Sequence, residues 1–168
     1  MKPALLVIDM QKDFYNYTDV TKQSMKSAFE TINAAIALFR KKRLPVICIQ
    51  HMNEKENLKP GVEGFDLPDE LEVLPSDVHI HKTYGNSFNK TPLQEKLREF
   101  GVDTVLLSGY CAEFCVLSTY RGAQDQDFAP ILLRGGLASD TPENIKFVEN
   151  ISEIISFRAL AKILETVQ

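Results

Sequence analysis

The chain has 168 residues, 44% of them apolar and 25% charged, with a formal charge of −4. That balance fits one globular domain over residues 1–168, large enough to bury a real core. It excludes the positive surface that a nucleic-acid phosphate backbone requires, and no apolar run approaches membrane-spanning length.

The first apolar run, Ala4-Leu5-Leu6-Val7-Ile8, ends at Asp9. It is continuous, as in a central strand buried on both faces, and too short and polar-ended for a signal peptide. From Lys22 to Arg43 the apolar residues Met25, Ala28, Phe29, Ile32, Ala35, Ile36 and Phe39 recur at helical spacing. The basic run Arg40-Lys41-Lys42-Arg43 closes that helix, where cations complement the dipole. Pro45 opens a second strand, Val46 to Gln50. Residues Met52 to Ser76 are polar and rich in proline and glycine, a length typical of binding loops or lids. A third strand is expected over Val78–His81. Thr91, Pro92 and Gln94 read as a capped helix start, and Gly101 ends that helix after Phe100. The fourth strand is Thr104–Ser108, followed by a helix from Cys115 to Gln126. Pro130–Leu133 is a fifth strand, and Thr141-Pro142-Glu143 starts a short helix. The tail suits one helix or a strand followed by a helix.

Alternating strands and helices predict an α/β fold with a mainly parallel sheet covered on both faces. In such folds ligands bind beyond the carboxyl ends of the strands, near the switch in strand order. Three chemically able residues stand there: Asp9 after the first strand, Lys82 after the third and Cys115 after the fourth. A thiol at a helix start lies near unpaired N–H groups that favour thiolate, the nucleophilic form. Each residue also has a plain reading: Asp9 as a cap, Lys82 as a surface lysine, Cys115 as a small buried hydrophobe. Three cysteines, an odd number without disulfide spacing, point to a reducing cytoplasm.

Leu6-Val7-Ile8-Asp9-Met10-Gln11-Lys12-Asp13-Phe14 resembles the opening of the isochorismatase-like cysteine hydrolases. His81-Lys82-Thr83-Tyr84-Gly85-Asn86-Ser87-Phe88 is similar to the lysine segment of that superfamily, and Gly109-Tyr110-Cys111-Ala112-Glu113-Phe114-Cys115-Val116 to its nucleophile segment. The resemblance implies a three-layer, doubly wound, Rossmann-like sheet of six strands, the last around Ile151–Ser156, with a closing helix from Arg158. It implies a catalytic triad of Asp9 as base, Lys82 as electrostatic partner and Cys115 as nucleophile. It also implies a cis peptide between Tyr110 and Cys111, and an oxyanion hole from the backbone N–H groups of Cys111 and Cys115. Phe14, His51, Tyr84 and Phe88 are the expected substrate-pocket residues, and Glu113 is expected exposed at the helix start.

The implied reaction is acyl transfer from a small amide or carbamoyl substrate through a Cys115 thioester. Nicotinamidases of this superfamily carry a metal on an aspartate and two histidines after the second strand. Here His51 and Asn53 fall at those places, and the chain has only three histidines, so no metal and no cofactor are expected. Nicotinamidase is the alternative activity. Ala112 replaces the family's usual threonine. Two other classes stay open: a thiol sensor using Cys111 and Cys115, and an idle binding protein on the same fold. Self-association as a homo-oligomer is expected.

Overall fold

The structure, a computed structural model, describes residues 1–166. Among them the strands are β1 (Pro3–Ile8), β2 (Val46–His51), β3 (Val78–Lys82), β4 (Thr104–Gly109), β5 (Ala129–Leu137) and β6 (Ile154–Ser156). The helices are α1 (Lys12–Tyr15), α2 (Asp19–Lys41), α3 (Leu93–Glu99), α4 (Leu117–Asp125), α5 (Glu143–Asn150) and α6 (Phe157–Glu165). The strands form one sheet in the order β3-β2-β1-β4-β5-β6, and every neighbouring pair is parallel. The order reverses between β1 and β4, which places the ligand crevice of a doubly wound sheet beside Asp9. No helix among the described residues is long and apolar enough to cross a membrane.

The continuous apolar strands are explained by two separate cores. Leu6 and Ile8 of β1 face one side with Ile47, Ile49, Val105 and Leu107, under Leu93 and Leu97 of α3, Tyr120 of α4 and Val148 of α5. Leu5 and Val7 face the other side with Leu106 and Leu133, under Met25, Phe29, Ile32, Ile36 and Phe39 of α2 and Leu160 and Leu164 of α6. Each fully buried leucine or isoleucine contributes about 1.5–3 kcal/mol of transfer free energy. Successive side chains alternate faces, so a one-residue slip would exchange the two cores.

Several boundaries differ from the sequence expectations for local reasons. Helix α2 starts at Asp19 because the Thr18 hydroxyl accepts from the Thr21 amide at 3.0 Å, a cap that precedes the apolar periodicity. Thr91 makes no capping box; its hydroxyl accepts from Leu93 at 3.3 Å and donates to the Ser87 carbonyl. Strand β5 continues through Gly135 and Gly136 to Leu137, across a register shift opposite Leu107 and Gly109. Cys115 lies within a π-helical turn, Ala112–Val116, and α4 begins only at Leu117.

The Met52–Ser76 segment is packed down. The Asn33 amide donates to Glu70 O at 2.8 Å, and its oxygen accepts from Glu72 N at 3.0 Å. Arg40 of α2 donates to Glu72 O at 2.7 Å and pairs with Asp77, while Phe65 and Leu71 are buried.

At the switch point the ends of β1 and β4 approach closely. Gly109 has a φ of +117°, and a Cβ there would overlap the backbone of Ile8. Gly109→Ala therefore faces both a disfavoured conformation and a clash with backbone that cannot swing aside. It should cost at least about 3 kcal/mol in urea unfolding, and a loss below 1 kcal/mol would contradict this close approach.

Candidate active site

Asp9 follows β1 in a left-handed conformation, φ +51°, which directs the chain out of the sheet. Its amide still donates to Ile49 O at 2.8 Å, so the residue is fixed to β2 as it leaves β1. Lys82 ends β3 in parallel register with His51 of β2. The two side chains meet under the surface: Lys82 Nζ lies 2.7 Å from Asp9 Oδ2, with side-chain exposures of 0% and 1%. Neither the surface-lysine nor the simple-cap reading describes these positions.

Lys82 also donates to the Tyr84 carbonyl at 3.1 Å and contacts His51 Nδ1 at 3.3 Å. An ammonium has three protons and no lone pair. The three acceptors therefore match its donors, and Nδ1 of His51 is an acceptor. Burial pulls the His51 pKa down, and the Lys82 charge adds to that, against smaller opposing effects of Asp9 and Glu56.

Cys115 is half-buried beside this pair. Its thiol is pushed up to about 12, first by burial and then by the negative charge of Asp9, with Lys82 opposing. The thiolate expected from a helix start is thus corrected: the sulfur is half-buried, faces a carboxylate and rests as a thiol. It needs a base. Burial raises the Asp9 pKa, while the Lys82 charge, its hydrogen bond and Cys115 oppose that rise. Asp9 Oδ1 has no hydrogen-bond partner among the described residues. One carboxylate oxygen is thus held by the cation, and the carboxylate as a whole neighbours the Cys115 thiol.

The Tyr110–Cys111 peptide bond is cis. Tyr110 N donates to Ile8 O at 2.9 Å, and Ala112 N to Ala138 O at 2.9 Å, which ties this corner to β1 and β5. Between them the Cys111 N–H has no acceptor among the described residues. The π turn closes with Val116 N on Cys111 O at 3.2 Å, and Cys115 stands one residue before that first long bond.

Glu113 is not the exposed residue expected. Its carboxylate accepts from Asn144 at 2.7 Å, Ser139 Oγ at 2.9 Å and the Cys111 thiol at 3.0 Å. These bonds brace the Ala112–Val116 turn against α5 and the segment that follows β5. Burial drives the Cys111 thiol strongly up, so it is a donor in this network.

The expected pocket residues divide. Phe14 and His51 come together, with ring centroids 6.4 Å apart, and the Tyr110 ring joins them 5.2 Å from Phe14. Phe88 stacks on Phe128 at 5.8 Å in the core, so it is structural. Its segment is turned that way by buried Ser87, whose hydroxyl bonds Thr119 of α4 at 2.8 Å. The exposed Tyr84 ring lies under Lys90, so Tyr84 gives the centre its carbonyl and not its side chain. Buried Gln11 escaped the sequence reading: it accepts from His51 N at 2.6 Å and donates to His51 O at 3.0 Å. Its place in the first motif, between Met10 and Lys12, was the available signal.

The donors around β2 do not suit the metal of the nicotinamidases. His51 Nδ1 faces an ammonium, Asn53 accepts from Lys55 N at 3.2 Å, and His79 Nε2 lies 3.0 Å from Leu74 O. The three-donor group found among the described residues is Cys111, Glu113 and Asp140, at the braced turn.

The geometry sets a reactivity pattern. Iodoacetamide alkylation of Cys115, followed by peptide mass mapping, should accelerate about tenfold per pH unit through pH ~10, because thiolate is scarce below its pKa. A rate that levels off below pH ~8 in the unaltered protein would contradict the protonated thiol.

A family model described as Isochorismatase domain matches residues 3–151. The uncharacterized isochorismatase family protein YrdC of Bacillus subtilis is 31% identical over 176 residues, covering 99% of this chain and 94% of that protein. Nicotinamidase 3 of Arabidopsis thaliana is 29% identical over 136 residues, 71% of this chain and 65% of its own length. An isochorismatase-like hydrolase from Alkaliphilus metalliredigens has a TM-score of 0.88 at 25% identity, covering 97% of this chain and 99% of that one. N-carbamoylsarcosine amidase from Thermoplasma acidophilum shares the fold, with a TM-score of 0.81 at 24% identity over 94% of this chain and 97% of that one. The domain match spans most of the chain and includes Asp9, Lys82 and Cys115; the protein belongs to the isochorismatase family and is a hydrolase.

Proposed function

We propose that the chain is a cysteine-dependent hydrolase that cleaves the C–N bond of a small amide or carbamoyl compound through a thioester on Cys115. The observation that carries this reading is the buried Asp9–Lys82 pair with one carboxylate oxygen unpartnered beside a protonated thiol. A binding protein has no need of a buried ion pair facing a sulfur, because desolvating two charges opposes folding. Related proteins named for amide chemistry, a nicotinamidase and a carbamoylsarcosine amidase, support the choice of bond.

In this mechanism Asp9 Oδ1 takes the thiol proton as sulfur attacks the carbonyl carbon, so free thiolate need not accumulate. The C=O electron pair moves onto oxygen, and the backbone N–H groups of Cys111 and Cys115 stabilise the oxyanion. Collapse breaks the C–N bond, and the proton on Asp9 passes to the departing ammonia or amine. A water molecule then gives a proton to Asp9 and attacks the thioester. The acid product leaves, and the sulfur regains its proton. Lys82 keeps Asp9 oriented and offsets the negative charge that the carboxylate and sulfur share.

Nicotinamidase is the second reading. It rests on the plant relative, but His51 Nδ1 faces the Lys82 ammonium and the Asn53 and His79 side chains are hydrogen-bonded to nearby backbone, so nicotinamide would have to be hydrolysed without that metal.

Ammonia release from primary amides, carbamoyl compounds and nicotinamide tests the proposal. Cys115→Ala should lower turnover at least ~10³-fold, with unfolding free energy changed by no more than about 1 kcal/mol because only a half-buried sulfur is lost. Turnover that survives this substitution would rule out the thioester route.

A further inference from the structure

We propose that His51 selects the substrate: its Nε2–H donates to an acceptor oxygen, carbonyl or carboxylate, that the substrate carries beyond its scissile group. The inference deepens the hydrolase reading and rests on it for the word substrate. Its geometric basis is the tautomer. Lys82 Nζ lies 3.3 Å from His51 Nδ1, and an ammonium can only donate, so the ring proton of neutral His51 resides on Nε2. That nitrogen has no partner among the described residues, although the rest of the residue is fully tied down.

The fixing is strong. Gln11 is completely buried and holds both backbone polar groups of His51, at 2.6 and 3.0 Å. The Phe14 ring borders the imidazole. His51 also lines a cavity of about 500 Å³ with Met52, Asn53, Glu54, Lys55 and Thr83, a size suited to a small molecule. Lys55 and Glu54 there oppose each other in charge, so the lining does not by itself choose an anion. The locked N–H does choose an acceptor. An unprotonated nitrogen here would select a donor instead, and Lys82 is what excludes that state. The catalytic ammonium thus sets substrate preference through His51 while spending no proton of its own on the substrate.

Two measurements test this. Nitrogen-15 NMR of the imidazole at neutral pH should show His51 bare at Nδ1 and protonated at Nε2; the opposite tautomer overturns the proposal. Succinamate and 4-methylpentanamide have the same shape, but only the first offers an acceptor. The unaltered protein should favour succinamate roughly tenfold to a hundredfold in kcat/KM, the range of a hydrogen bond to a charged group. In His51→Phe that ratio should fall to about one, whatever the absolute rates, and His51→Gln, which returns an amide donor near Nε2, should restore part of it. A ratio unchanged in His51→Phe overturns the inference. If neither amide is hydrolysed, Cys115→Ala is titrated with succinamate while the Nε2–H resonance is followed. A shift then upholds His51 as the acceptor-reading residue and counts only against the proposed amide chemistry; no shift overturns the inference itself.

Discussion

Two opposite charges lie buried side by side at the carboxyl edge of the sheet, and most of the local structure serves to keep them there. Asp9 and Lys82 have side-chain exposures of 1% and 0% and are 2.7 Å apart. Removing one partner of such a pair typically costs about 3–5 kcal/mol, because the other remains uncompensated. Lys82 therefore has a full set of acceptors, Asp9, His51 and the Tyr84 carbonyl. Asp9 is less complete, and its unpartnered oxygen is the polar deficit in this site. Such a deficit opposes stability unless a ligand, a proton or water satisfies it.

The surroundings are rigid in the way a preorganised site requires. Gly109 lets β4 press against β1 immediately before Asp9. The π turn carrying Cys115 is braced by Glu113 on Ser139 and Asn144. Residues Met52–Ser76 are pinned to α2 by Asn33 and Arg40. Mobility in that segment is therefore not needed to explain its length: it covers the β2–β3 end of the sheet and supplies Phe65 to the buried Gln50 amide at 2.9 Å.

Part of this was legible in the residues. The alternation of apolar runs with helical periodicity fixed the α/β class, because a strand buried on both faces cannot alternate. The three motifs named Asp9, Lys82 and Cys115 in one reading. Helix ends were less legible where a cap or a π turn, not apolar spacing, set the boundary, as at Thr18 and Cys115. Phe88 packs on Phe128 and the Tyr84 ring is exposed, and an aromatic residue beside a site motif looks the same in sequence whether it faces the cavity, the core or solvent.

By itself the sequence determined the layered fold and named the candidate reactive groups, since periodicity and residue type are local properties of the chain. The tertiary structure decided their states. Burial of Cys115 beside a carboxylate makes the sulfur a thiol needing a base, and contact with Lys82 makes His51 a donor at Nε2. Both depend on charges brought from distant segments into a poorly solvated space, where an ångström of separation outweighs any local preference.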